Sequence, residues 1–187
     1  MRNKYLFTSE RLGFREWNSA DYEPLRAINE DPVVMEYFPK TLSADASDAL
    51  INMCKKHYDQ YGFCGYAVDR MDLEEPTFIG FIGLMHPGFD IGCGPEWVEI
   101  GWRTHPSSWG IGLGTEGARR ALEFGLTQLS IPEIYSFTTI LNKRSERVMQ
   151  KIGMRHVRLF DNPKLDQDSP LLLHTLYCIQ RNDVIEP

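Results

Sequence analysis

Trp109–Gly117 reads WGIGLGTEG, and the interpretation of this stretch decides the fold. Glycines at 110, 112 and 114 alternate with larger residues just before a helical pattern begins. A glycine-rich turn that opens a helix presents unpaired N–H groups at the positive end of the helix dipole, which suits a phosphate or pyrophosphate. The same glycines would also suit a plain flexible loop. The flanking sequence has to choose between them.

Immediately upstream, Trp97–Thr104 (WVEIGWRT) reads as a strand that runs straight into the loop. Downstream, Thr115–Gln128 is helical by spacing, with Ala118, Ala121, Leu122, Gly125 and Leu126 along one side. Ile131-Pro132 breaks that helix, and Ile134–Ile140 (IYSFTTI) is β-branched and aromatic, hence a strand. Asn142 is a good N-cap for a helix to about Lys151, stopped by Gly153. Met154–Phe160 and Leu171–Gln180 read as two last strands around the polar loop DNPKLDQDSP.

The amino-terminal half has a different rhythm. Arg11–Arg15 (RLGFR) alternates as a short strand, and Ser19 can cap a helix over Ala20–Asn29 with Asp21 and Glu23 in its first turn. Asp31-Pro32 ends it, and the aromatic connector VMEYFPK follows. Ser43 or Asp45 starts a second helix to about Gln60, closed by Gly62. Phe63–Asp69 and Thr77–Met85 are strands joined by the charged turn RMDLEEP, and His86–Pro95 is a glycine-rich loop. The order β-α-α-β-β-β-α-β-α-β-β predicts an α/β (α+β) fold, with a mixed, mostly antiparallel sheet of about 7 strands and about 4 flanking helices. The β-α-β unit around the glycine loop should supply one parallel pair.

Composition excludes several function classes. The 187 residues suit one domain with an ordinary globular make-up of 42% hydrophobic and 25% charged residues. A net charge of -6 argues against nucleic acid, which needs a basic footprint, and no run approaches a membrane span. The opening MRNKYLFTSERL lacks the apolar core of a secretory leader, so a cytoplasmic setting is expected. Cys54, Cys64, Cys93 and Cys178 are scattered without a C-x-x-C pair, and the five histidines show no H-E-x-x-H spacing. Buried thiols, and no metal site, are expected. A monomer or a homodimer is equally compatible with these features.

Gly112-Leu113-Gly114-Thr115-Glu116-Gly117 matches the dinucleotide fingerprint G-x-G-x-x-G. That motif normally opens a first βαβ unit, with an acid near the end of the next strand. Here it follows a run of hairpins, and Glu133 sits at the wrong end of its strand. The context speaks against a nicotinamide site.

A different resemblance covers nearly the whole chain, from about Thr8 to Arg181. EIGWRTHPSSWGIGLGTEGARRAL resembles motif A of the GNAT acetyltransferases, in which a strand leads into a Q/R-x-x-G-x-G/A loop and a helix. ILNKRSERVMQKIGM resembles their motif B. RLGFREW with the early helix and Asp31-Pro32 is similar to the ribosomal-protein-alanine N-acetyltransferase branch. Two departures stand out. Trp109 occupies the first position of the loop pattern, as is common in that branch, and Ile111 stands where the branch usually has Lys or Arg.

The resemblance implies an acetyl-CoA-dependent N-acetyltransferase without a metal, acting on a primary amine, with a peptide α-amine favoured as acceptor. The alternative is a non-catalytic module that keeps the fold and binds CoA. The implied fold splays the Trp97–Thr104 strand from the Ile134–Ile140 strand. The pantetheine arm then runs beside Trp102, Arg103 and Thr104, and the pyrophosphate lies on the loop from Trp109 and Gly110 through Ile111, Gly112, Leu113 and Gly114 to Thr115. Asn142 would hold the pantetheine amides, Ser145 would face the sulfur as acid or hydrogen-bond donor, and Arg147 could meet the nucleotide phosphates.

Proton arithmetic bears on the base. An α-amino group has a pKa near 8 and a lysine near 10.4, against about 4.3 for an ordinary Glu. Transfer to an unperturbed Glu is thus uphill by roughly 5 kcal/mol for the α-amine and about 8 for lysine. A useful base needs a raised pKa or a water relay. Glu99, in the EIGW segment, is the candidate base; the other reading leaves it facing solvent or paired with a basic neighbour. For the acceptor side the candidates are Trp17, Glu36, Tyr37, Phe38 and Arg103.

Overall fold

In the computed structural model, which describes residues 4–185, a twisted eight-stranded sheet is ordered β1-β2-β3-β4-β5-β6-β8-β7. The first three residues of the opening stretch MRNKYLFTSERL lie outside the described part. The strands are β1 (Phe7–Thr8), β2 (Leu12–Arg15), β3 (Gly65–Arg70), β4 (Thr77–Met85), β5 (Val98–Thr104), β6 (Glu133–Thr139), β7 (Arg155–Asp161) and β8 (Leu173–Gln180). The helices are α1 (Tyr22–Glu30), α2 (Ala44–Tyr61), α3 (Leu113–Glu123), α4 (Lys143–Lys151) and a short terminal α5 (Asn182–Ile185). Every neighbouring pair is antiparallel except β5–β6, the parallel pair expected around the glycine loop. One strand more is present than the 7 expected: the two-residue β1 pairs with β2 at Phe7↔Phe14, too short to show alternation.

Two layers of helix cover the sheet. On one face α3 sits directly on the strands, because Gly117 offers no Cβ where one would collide with Ile82 and Leu12. On the other face Cys54 of α2 lies against Met85, with sulfurs 3.9 Å apart. The core between α3 and the sheet includes the fully buried Leu12, Phe14, Tyr66, Ile82, Leu84 and Ile100.

Most boundaries shift by one or two residues from the sequence reading, and three of the shifts have a clear local reason. Asn18, not Ser19, caps the first helix: its side chain accepts from Ala20 N at 2.8 Å and its own N–H donates to Asp21, so the helix begins as a 3-10 turn over Ser19–Asp21. Helix α3 ends at Glu123 and passes into a π turn over Phe124–Gln128. Gly125 in that turn approaches Leu84 and Ile134 too closely for a side chain. Finally, β6 stops at Thr139, one residue before the expected end, and Asn142 then caps α4 by accepting from Ser145 N at 3.1 Å.

Asp21, read as an ordinary first-turn acid, is a buried ion-pair partner. Arg15 donates to Asp21 at 2.8 Å through both terminal nitrogens and to Asp69 at 2.9 and 2.7 Å, and all three side chains are buried. This cluster ties β2 and β3 to the start of α1. Removing one carboxylate leaves a buried guanidinium half-compensated. Asp69→Ala is therefore expected to cost about 3–5 kcal/mol in urea unfolding, and Lys4→Ala, which removes Asp69's exposed partner, about 0–1 kcal/mol. A loss below about 1 kcal/mol for Asp69→Ala would contradict this role.

Candidate active site

The parallel β5–β6 ladder is only two pairs long, Val98↔Ile134 and Glu99↔Tyr135. At the next position the Ser136 hydroxyl donates to the carbonyl of Ile100 at 2.9 Å, and beyond it the strands diverge. A cleft of about 850 Å³ opens between them, lined by Trp102, Arg103 and Thr104 on one wall and Phe137 and Thr138 on the other. The edge of β5 that faces β4 is paired through Ile82↔Trp102 and Gly80↔Thr104. Its other edge is left to the cleft. An extended ligand can add to such an edge as a strand does.

The glycine loop closes one end of the cleft. Trp109 anchors it, its indole N–H donating to the Thr104 carbonyl at 3.0 Å and hydroxyl at 3.2 Å, while the Arg144 guanidinium lies 5.3 Å from the indole ring. Gly110 and Gly112 adopt φ of +74° and +88°, a region that disfavours side chains. A Cβ at Gly110 or Gly114 would meet nothing within 4 Å, so the backbone fronts open space. Gly112, as the N-cap, offers α3 no side-chain acceptor for its first N–H groups. Arg144, Arg147 and Lys151 of α4 line the same cleft. Bare N–H groups, a helix N-terminus and three cations form a donor set suited to a pyrophosphate.

Two of the loop residues, named from the sequence for their backbone N–H groups, turn their side chains away from the cleft. Leu113 is fully buried, so its side chain belongs to the core. Ile111 is exposed on the outer side, where its carbonyl accepts from Arg11 at 3.1 Å. Both can offer the cleft backbone atoms alone.

Glu99 and Ser145 both line the cleft. Burial pushes the Glu99 carboxyl up to about 8, with the Lys164 ammonium pulling in the opposite direction. Among the described residues no hydrogen bond reaches that carboxyl. Ser145 stands in the first turn of α4, where its hydroxyl accepts from the Asn142 side-chain amide at 3.1 Å. That contact orients the oxygen and leaves the hydroxyl proton to donate into the cleft. Lys143 pairs with Glu146 at 2.8 Å, outside the lining.

The acceptor-side residues divide. Glu36, Tyr37 and Phe38, on the connector after α1, line the cleft, as does Arg103. Phe38 covers the Arg103 guanidinium at 4.2 Å and Phe81 flanks it at 5.6 Å. Trp17 does not line the cleft: it is buried, donating to the Gly65 carbonyl at 2.7 Å and packing edge-on to Phe78 and tilted against Phe81. An aromatic residue just after a strand reads the same whether it faces a pocket or the core.

Several lining residues lay beyond the sequence reading. Asn162 and His174 come together from β8 and the segment after β7, 3.3 Å apart, and His174 also contacts the Leu172 carbonyl at 3.0 Å. Burial holds His174 below the usual imidazole range. Neither sits in a recognisable motif, because the contact depends on how the last hairpin folds back.

The chain matches the family described as Acetyltransferase (GNAT) domain over residues 11–155. It is 28% identical over 157 residues to a Bacillus subtilis (strain 168) protein named "Uncharacterized N-acetyltransferase YnaD", across 82% of this chain and 84% of that one. Over 73 residues, 39% of this chain and 31% of the relative, it is 36% identical to an Aspergillus fumigatus protein named "FsC-acetyl coenzyme A-N(2)-transacetylase". Among solved structures, a GNAT-family acetyltransferase from Bacillus anthracis superposes with a TM-score of 0.76 at 23% identity, covering 94% of this chain and 98% of that one. A spermidine N-acetyltransferase from Vibrio cholerae, in complex with CoA and spermine, gives 0.70 at 17% identity, covering 92% and 96%. These two likenesses concern the fold.

The elevated Glu99 carboxyl carries a stability consequence. Its folded value of about 8 lies above the ordinary 4.5, so between those values the folded state holds a proton that the unfolded state has lost. Stability contributed by this group is full below about pH 4.5 and falls as pH rises through 8. Glu99→Gln removes the dependence. Urea unfolding at pH 6 and pH 9 is expected to show the variant gaining on the parent by on the order of 2–4 kcal/mol at the higher pH. Parallel pH profiles would show that Glu99 is an ordinary solvated acid.

Proposed function

We infer the reaction from one premise: the chain belongs to the GNAT acetyltransferase family and is an N-acetyltransferase. Acetyl-CoA, the donor of this family, supplies an activated acetyl thioester, and the acceptor is an amine. In our reading the acceptor is an α-amine of a peptide or protein, or another amine of similarly low pKa, and the setting is cytoplasmic. RLGFREW and the loop Trp109 favour the ribosomal-protein-alanine type of enzyme.

The protein's part is to hold and orient the reactants. The free backbone edge at Trp102, Arg103 and Thr104 receives the pantetheine arm as an added strand. N–H groups from Gly110 to Thr115 receive the pyrophosphate, and Arg144 and Arg147 supply the charge that Ile111 does not. Asn142 divides its amide between capping α4 and holding Ser145. Glu99 takes the proton from the attacking amine as the new N–C bond forms. Ser145 donates toward the sulfur as the C–S bond breaks, so the charge leaving with the thiolate meets a positioned hydrogen bond.

The elevated Glu99 carboxyl carries this reading. With the base near 8 and an α-amine near 8, proton transfer is close to isoenergetic, whereas a lysine near 10.4 remains uphill by about 3 kcal/mol. Burial thus removes most of the penalty that an ordinary Glu would impose. Thiol release from acetyl-CoA in the presence of a peptide N-terminus tests it. Glu99→Gln is expected to lower kcat by about 10²-fold or more while calorimetric acetyl-CoA affinity stays within about 2-fold. The parent kcat/KM should rise with pH to a plateau above about 8. Tight acetyl-CoA binding without turnover on any amine would favour a CoA-binding module, and unchanged Glu99→Gln activity would remove the base.

A further inference from the structure

Arg103 is a half-buried cation that, among the described residues, meets no anion. Its guanidinium lies 4.2 Å from the centroid of the Phe38 ring and 5.6 Å from that of Phe81. Among the described residues it makes one hydrogen bond, from Nη1 to the neutral Asn29 Oδ1 at 2.7 Å, and Nε is buried with no partner. Asn29 is itself fully buried, its amide committed to Ser47 at 2.7 Å. Glu36 lines the same cleft, but it is exposed and, among the described residues, no ion pair joins it to Arg103. Burial alone pushes the guanidinium down to about 10.

The contrast with Arg15 is informative. Arg15, which is fully enclosed, meets two carboxylates with four hydrogen bonds. A buried charge is ordinarily paired, because leaving it unpaired costs the full desolvation of the group. Arg103 opens on the cleft instead. Its missing partner is therefore best supplied by whatever enters there.

Register says where that partner would lie. Glu99, Gly101 and Arg103 alternate onto one face of β5 and pair with Met85, Gly83 and Phe81 of β4. Gly101 separates the acid from the arginine, and a Cβ there would meet only the Glu99 carboxylate, at 3.7 Å. The floor between them is open. Four residues of strand span roughly 13 Å between Cα atoms, and the Glu99 carboxylate leans over Gly101 into that interval.

We propose that this enzyme selects amine acceptors carrying a carboxylate, with the amine over Glu99 and the carboxylate on Arg103. This deepens the N-acetyltransferase reading and rests on it. The acceptor is an amino acid, a short peptide or a peptide N-terminus with a carboxylate within its first three residues. A polycation is disfavoured, since its distal ammonium would meet the Arg103 guanidinium.

The test compares matched acceptors by thiol release: glycine, diglycine and triglycine as free acids and as C-terminal amides, with spermine as the polycation. At least one acid should exceed its amide by 10-fold or more in kcat/KM, mainly through KM, and spermine should be the poorest. Arg103→Met, which keeps a long side chain beside the two rings without charge, should bring the acid-to-amide ratio toward 1. Asn29→Asp keeps Arg103 but offers it an internal carboxylate, and should collapse the ratio in the same way. A parent ratio near 1, or a ratio that survives both substitutions, overturns the carboxylate selection while leaving the transferase reading intact. A purely structural Arg103 would show itself by lowering acid and amide equally. If acetyl-CoA binds calorimetrically but no acceptor releases thiol, the transferase reading falls and takes this proposal with it.

Discussion

The bond from the Ser136 hydroxyl to the Ile100 carbonyl marks the constraint on which the site depends: β5 and β6 cannot continue as a sheet beyond it. A parallel pair ordinarily hides its backbone groups in the ladder. Here a side chain takes the place of the next ladder bond, the strands separate, and one edge of β5 is left for a ligand. The position of the loop and of α4 follows from that separation. Trp109 hangs from Thr104 at the end of β5, while Asn142 and Ser145 stand just past the end of β6. The surrounding sheet, antiparallel elsewhere, gives the diverging strands rigid support on both sides.

The same environment acts oppositely on the two ionisable groups of β5. Burial raises the Glu99 carboxyl and lowers the Arg103 guanidinium, because in each case it disfavours the charged form. Among the described residues neither group is paired with an opposite charge in hydrogen-bond contact, unlike the Arg15, Asp21 and Asp69 cluster on β2, β3 and the start of α1. The protein thus contains one enclosed charge cluster that is complete and one strand face that is not. The first ties β2 and β3 to the start of α1, and in our reading the chemistry resides in the second.

Local signals were legible in the chain. The Asn142 cap, the Gly62 stop in left-handed conformation and the run of WVEIGWRT into a glycine loop each depend on neighbours within a few residues, and each is where the spacing put it. The parallel β5–β6 pair also followed from element order. Side-chain direction was less accessible. Trp17 carries suitable chemistry at a suitable position, yet it faces the core, because packing against distant strands decided its orientation. Asn162 and His174 enter the cleft through the fold of the last hairpin, a long-range consequence that no short motif records. Glu99 was identifiable as an acid on the right strand, but its elevation depends on enclosure that only the folded chain displays.

The most direct measurement of the central claim is a crystal structure of the protein with CoA. Pantetheine density is expected alongside the free edge of Trp102–Thr104, with phosphates against the N–H groups of the 110–115 loop and the sulfur within hydrogen-bond reach of the Ser145 hydroxyl. CoA bound outside the β5–β6 cleft, or with its sulfur remote from both Glu99 and Ser145, would contradict it.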